Sequence, residues 1–241
     1  MKIPTIHGNI ERRILINYTA DPEVVKQLLP FPFRPKIYKD KAIVGICLIR
    51  LKKVKPKGFP DLIGISSENG AHRIAVEWDE GGELKEGVYI PRRDTSLRLN
   101  TIVGGWLFPG VHHLSKFNVK EADGQYHIDF VSADQTGVSI DATETDQLNE
   151  NSIFRTLDNA SHFFEKGSLG YSPNKDQFDG LQLQTYRWEM RPLSVSKVSS
   201  SFFEDQNLFP KGSVVFDHAL LMTEIEHEWH SVPTPANSEQ R

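Results

Sequence analysis

Residues 42–51 read AIVGICLIRL, with apolar side chains on both alternating faces of an extended chain. A half-wet strand alternates apolar and polar residues, so one apolar on both faces lies centrally in its sheet. Other segments carry strand patterns as well. Arg13–Tyr18 is rich in β-branched and aromatic residues. Residues 72–79 and 84–90 form a hairpin through Gly81-Gly82, which can adopt the positive φ of a tight turn. Residues 126–130 and 138–142 alternate, and 181–203 and 213–229 return to strand. Helices are expected in three places. Asp21-Pro22-Glu23 caps one that Pro30 stops. A second is expected after Asp94-Thr95-Ser96, with Leu99, Ile102, Val103 and Trp106 on one face. The third spans 151–166. These elements predict one mainly β (α+β) domain over residues 1–231, with a curved antiparallel sheet or barrel flanked by short helices. The tail, 232–241, is expected to be flexible.

Polar chemistry concentrates in residues 87–113, GVYIPRRDTSLRLNTIVGGWLFPGVHH. Tyr89, Arg92, Arg93, Arg98, Asn100, His112 and His113 stand there beside Trp106 and Phe108. That mixture suits the wall of a small-molecule pocket. A helix N-terminus following two arginines could hold a carboxylate or phosphate. Surface ion pairing to Asp94, Glu77 or Glu86 is the plain alternative for the arginines taken singly. His112 and His113 are adjacent on a strand and point to opposite faces, so at most one faces a pocket. That one could act as a general base or a hydrogen-bond donor.

The chain has 241 residues, a net charge of −4, nine histidines and one cysteine. Cys47 cannot form an internal disulfide; it fits a reducing cytosol and reads as a core residue. No segment has the length of a membrane span, and no apolar signal opens the chain, so a cytoplasmic protein is expected. A local arginine excess on an acidic protein points to a small anion rather than to nucleic acid. No metal is expected: HExxH and cysteine clusters are absent, and His227 and His230 oppose one another on a strand. No cofactor is expected either, since the glycine-rich nucleotide motifs and the GxSxG elbow are missing. Ser199-Ser200-Ser201 has no nucleophile context.

The segments ILINYTADPEVVKQLLPFPFRP, GVYIPRRDT and GGWLFPGVHH resemble an uncharacterised bacterial, YqjF-like family with an acetoacetate-decarboxylase-like fold. Val215–Ala219 resembles a late strand of that fold. The resemblance implies a double-layer β-cone or barrel around a pocket. Glu68 resembles an acid of the decarboxylase pocket, and Arg12 or Arg13 resembles an arginine facing the substrate. Tyr89 falls on the strand leading to the site. The decarboxylases use adjacent lysines, one forming a Schiff base. Here the matching stretch, Trp106–His113, has no lysine, and Lys116 has no lysine neighbour. Imine-forming decarboxylation is therefore the chemistry this chain argues against.

Three functions remain in view. One is an enzyme acting on a small carboxylated or oxygenated metabolite, with Arg92, Arg93 and Arg98 holding the anion and His112 or His113 moving protons with Glu68. The second is a non-catalytic ligand-binding protein that keeps the cavity. The third is an oligomeric scaffold with the Arg/His cluster at a subunit interface. The related fold leans towards homo-oligomers.

Overall fold

A computed structural model describes residues 4–99, 110–174 and 177–235. Its strands are β1 (Ile6–Ala20), β2 (Arg34–Pro35), β3 (Ile37–Tyr38), β4 (Lys41–Pro56), β5 (Ile65–Glu80), β6 (Glu83–Thr95) and β7 (His112–Ala122), followed by β8 (Gln125–Ser132), β9 (Gly137–Glu144), β10 (Leu169–Asn174), β11 (Gln177–Thr185), β12 (Arg191–Ser200) and β13 (Val214–Val232). Helix α1 (Pro22–Leu28) follows β1, α2 (Leu157–Glu165) precedes β10, and α3 (Ser201–Glu204) follows β12.

The strand order closes on itself twice. Strands β13, β1, β4, β5 and β6 are common to both circuits. One ring is completed by β7, β8, β9 and β12, and the other by β10 and β11. All pairs are antiparallel except β6 with β7 and β6 with β10. The shared strands therefore have one face towards each ring's interior. Along β1, Ile14 and Ile16 enter one core while Leu15 enters the other. Along β4, Val44, Ile46 and Leu48 face the first core, and Ile43 and Cys47 face the second. That is why residues 42–51 are apolar on both faces: each face has its own interior to fill. The fold class expected from the sequence, a mainly β curved sheet closing into a barrel with short helices, is the one observed.

The local chemistry explains most of the boundaries. The Asp21 carboxylate accepts from the Glu23 amide at 2.9 Å, with Pro22 at the first position of α1. Gly81 and Gly82 take φ of 61° and 81° in the β5–β6 turn, as a tight hairpin requires. The third helix is shorter than expected. Thr156 caps α2 by accepting from the Asn159 amide, and residues 151–155 form turns in which Arg155 takes φ 66°. The expected strand 181–203 is divided into β11 and β12, and its last residues enter α3, capped by Ser200. Asp94 and Thr95 end strand β6, and helical backbone begins just after them at Arg98 and Leu99. The remainder of that expected helix, including Trp106, lies almost wholly outside the described residues.

Candidate anion-binding site

The second ring encloses a cavity of about 110 Å³. Leu15, Ala71, Ala75, Val88, Ile90, Leu181 and Trp229 supply apolar wall, and Phe163 and Phe164 of α2 close it. Arg13 of β1, Arg73 of β5 and Arg93 of β6 enter the same space, beside Cys47 of β4. No aspartate or glutamate lines it among the described residues.

Register assembles the group. Leu15 pairs with Cys47, Cys47 with Ala71, and Ala71 with Arg93, forming one row across four strands. Arg13 lies opposite Ile49 and Arg73 opposite Gly45, each two residues along from Cys47's place in β4. Diagonal neighbours at that spacing lie within reach of long side chains. Gly45 is needed there, since a Cβ would sit 2.4 Å from the Ile16 carbonyl oxygen and 3.4 Å from Arg73 Nη2.

A β-bulge selects which arginine enters. Tyr89 pairs with Ile74 and Arg92 with His72, so β6 has one more residue than β5 over this stretch, around Pro91. Such an insertion reverses the inward and outward alternation beyond it. Tyr89 and Arg92 consequently face the first ring, and Ile90 and Arg93 the second. Proline has no N–H to give the ladder and is tolerated at a bulge.

Two of the arginines, Arg13 and Arg73, are incompletely satisfied. Arg73 is 4% exposed; its Nη2 donates to Asn17 Oδ1 and its Nε has no partner. Arg13 Nη2 approaches Cys47 Sγ at 3.9 Å, while its Nε and Nη1 have no partner. Arg93 Nε donates to Ser172 Oγ at 2.9 Å. Burial lowers the Arg73 guanidinium from the ordinary arginine range and takes Arg93 down to about 10; arginine keeps its proton in proteins at neutral pH. Charges taken out of water are normally paired. Here three of them share a cavity with no carboxylate in its described wall, Asp179 acting on Arg93 from outside it.

Behind Arg73 a buried chain of hydrogen bonds fixes the guanidinium. Asn17 accepts from Arg73 through Oδ1, which leaves its Nδ2 to donate to His218 Nε2 at 3.0 Å. His218 is thereby held with its proton on Nδ1, directed at the Asp217 carboxylate. Asp217 also accepts from Ser152 Oγ at 2.6 Å and from the Ile153 amide at 2.8 Å. Burial lowers the His218 pKa despite its carboxylate neighbour, keeping the ring neutral.

The residues singled out in the sequence are dispersed. Arg13 and Arg93 line the cavity. Arg92 lies on the opposite face, where it is bound to Asp94, Asp134 and Ser132 at 2.6 to 3.0 Å. Tyr89 is packed in the first core against Phe33 and Phe178. Arg12 pairs with Glu68 and Glu121, and Arg50 bridges the same two carboxylates. Glu68 is thus a counter-ion within an arginine–glutamate network and does not line the cavity. His112 pairs in register with Arg93, and its Nδ1 lies 3.3 Å from the Gly110 carbonyl. Burial, with Arg93 nearby, takes its pKa down to about 3. His113 turns the other way, half-exposed, with Nδ1 3.9 Å from Asp134. The expected acid–base pairing of Glu68 with either histidine is not assembled, because Glu68 is held by arginines in a different network. Arg98 follows the end of β6 and is exposed; Asn100 lies outside the described residues. Sequence reading passed over Arg73, Asn17 and the role of His218. The available signal was a lone arginine in the apolar strand AHRIAVEW.

No group of three or more metal-ligating side chains occurs among the described residues. No helix there is long and apolar enough to cross a membrane.

The fold has known relatives in structure. One is the enduracididine biosynthesis enzyme MppR complexed with pyruvate, at 11% identity, covering 98% of this chain and 92% of that one with a TM-score of 0.62. Acetoacetate decarboxylase from Legionella pneumophila subsp. pneumophila str. Philadelphia 1 is similar at 13% identity, with coverage of 95% and 87% and a TM-score of 0.58. An acetoacetate decarboxylase-like enzyme from Sphingomonas wittichii RW1 is 8% identical, with coverage of 98% and 93% and a TM-score of 0.59. Identities this low carry the fold and not the chemistry. No curated protein sequence matches the chain. Residues 9–222 match the family DUF2071, described as an uncharacterized conserved protein (COG2071), and the chain belongs to that family.

Proposed function

We propose that this protein binds a small organic carboxylate in the second ring, held by Arg13, Arg73 and Arg93. The observation that carries the reading is the convergence of three guanidiniums on an apolar cavity with no acidic side chain in its described wall. Burying those charges is costly unless an anion meets them. Charge-assisted, bidentate bonds to the ligand would satisfy the N–H groups now without partners. The cavity's size suits a molecule of a few heavy atoms rather than a nucleotide. Pyruvate, the ligand of the structurally similar MppR, is of this class.

Among the described residues no histidine–glutamate pair lines the cavity, which favours binding over acid–base catalysis as its first role. Lys36 and Lys166 reach the cavity wall, but Lys36 is engaged with Glu86 at 2.8 Å and Lys166 is exposed to water. Lys116 is exposed on β7. A Schiff base has no support from this arrangement.

Thermal unfolding with and without pyruvate, and with its neutral amide as control, tests the reading. A ligand at roughly 100 times its Kd stabilises by about 2.7 kcal/mol, a shift readily seen in Tm. Pyruvate or another short carboxylate should raise Tm, and the amide should not. An unchanged Tm across two- to six-carbon carboxylates would remove the anion site.

A further inference from the structure

We propose that Cys47 is a nucleophile of this cavity, adding its sulfur to the carbonyl carbon of a 2-oxo carboxylate held by the arginines. The inference rests on the anion-site reading and names the ligand's electrophilic class. Three observations carry it. Cys47 lines the cavity in the strand row that ends at Arg93. Arg13 Nη2 approaches its sulfur at 3.9 Å. Arg73, 4% exposed and lining the same space, has its Nε without a partner. A ligand carboxylate bridging such guanidiniums brings its neighbouring carbon towards the sulfur between them. A 2-oxo acid places its carbonyl at that carbon.

The thiol's setting supports the chemistry. Burial raises its pKa, and the charges of Arg73 and Arg13 outweigh the burial, so the net shift is downward. Reactive cysteines are found in such electropositive surroundings, and inert ones in apolar surroundings. In the step itself the sulfur forms the S–C2 bond while the carbonyl π pair moves to oxygen. That oxygen takes the proton given up by the thiol. The product is a hemithioketal; nothing leaves, and nothing is oxidised or reduced. With three guanidiniums present, a thiolate and a ligand carboxylate together do not leave the site with excess negative charge.

The test is alkylation of the folded full-length protein at neutral pH by iodoacetate and, in parallel, by iodoacetamide, read by mass spectrometry. Cys47 is the sole cysteine, so each adduct reports on it. Relative to the urea-unfolded chain, the folded protein should shift its preference towards the anionic reagent by at least about tenfold, equivalent to about 1.4 kcal/mol. Pyruvate should slow that reaction. Arg73→Met should lose the preference, with Arg13→Met serving the same purpose if the first variant does not fold. With pyruvate labelled at C2, the carbon NMR spectrum should gain a tetrahedral resonance with the wild type and none with Cys47→Ser. Inertness of Cys47 to both reagents in the folded state, or an unchanged preference, overturns the nucleophile. If pyruvate still raises Tm in that case, the anion site stands without it; if pyruvate has no effect either, both readings fall.

Discussion

Arg92 and Arg93 are neighbours in sequence with opposite surroundings. Arg92 completes a tight ion pair with Asp94, which is 0% exposed and also accepts from Ser115. Arg93 has a serine and a mainly apolar cavity, with Asp179 acting on it from beyond the wall. Arg92→Met leaves the Asp94 carboxylate buried without its cation, a change that costs about 3 kcal/mol or more. Arg93→Met removes a charge that has no carboxylate in the cavity wall. It should leave ligand-free stability unchanged or raise it, yet abolish stabilisation by carboxylates. Urea titrations of both variants, with and without pyruvate, would separate the two roles; loss of ligand response in Arg92→Met alone would reverse them. The sequence displayed both arginines and the proline between Tyr89 and Arg92. It could not say which arginine turns inward, because that parity depends on one extra residue against β5. Glu68 was equally visible, but its partners Arg12 and Arg50, and Glu121 that shares them, come from three other strands. Arg73 carried only the weak mark of a charge within an apolar strand.

At the scale of elements, local chemistry was easiest to read. The α1 cap, the Gly81-Gly82 turn and the doubly apolar β4 depend on neighbours close in sequence or on simple periodicity. The division of 181–203 was harder, because β11 and β12 meet β13 at separate places along its length. The parallel pairs β6–β10 and β6–β7 join distant segments and leave no local pattern. The first of these matters for the cavity. Gly87 passes β10 so closely that a Cβ would lie 2.5 Å from the Leu169 carbonyl oxygen. Gly87→Ala must push β6 and β10 apart, and overpacking of this kind costs about 1–3 kcal/mol. Because Gly87, Gly170 and the turn before β10 all line the cavity, carboxylate affinity should fall along with stability. Denaturation midpoints and carboxylate-induced Tm shifts would check this, and an alanine variant with wild-type values for both would show that the strands separate without cost.

At the scale of the molecule, two rings sharing five strands cannot be separated without breaking β1, β4, β5, β6 and β13 together. Damage to either interior should therefore unfold the whole in one transition. Protons provide a way to damage each. His72 is fully buried on the first ring's face of β5, against Phe202 and Phe203 and 3.2 Å from Ser200 Oγ. His227 is fully buried against Trp229, which lines the second ring's cavity. Burial takes the His72 pKa down to about 3, with Arg92 adding repulsion. Burial likewise takes His227 down to about 4, opposed by the Ile225 carbonyl and assisted by His7 and Arg13. Above about pH 6.5 both rings are neutral whether the chain is folded or not, and their full contribution to stability is present. As pH falls below that value the unfolded chain takes up protons that the folded chain refuses. Stability then declines by about 1.4 kcal/mol per pH unit for each ring, until the folded-state values near 4 and 3 are reached. Urea titrations between pH 7 and 4 should show that decline as a single transition by tryptophan fluorescence and circular dichroism alike. His72→Gln, which keeps a polar group for Ser200 without a titrating one, should flatten the slope by one ring's share. An unaltered slope in that variant would mean that acid acts elsewhere, and two separate transitions would mean that the rings unfold independently despite their shared wall.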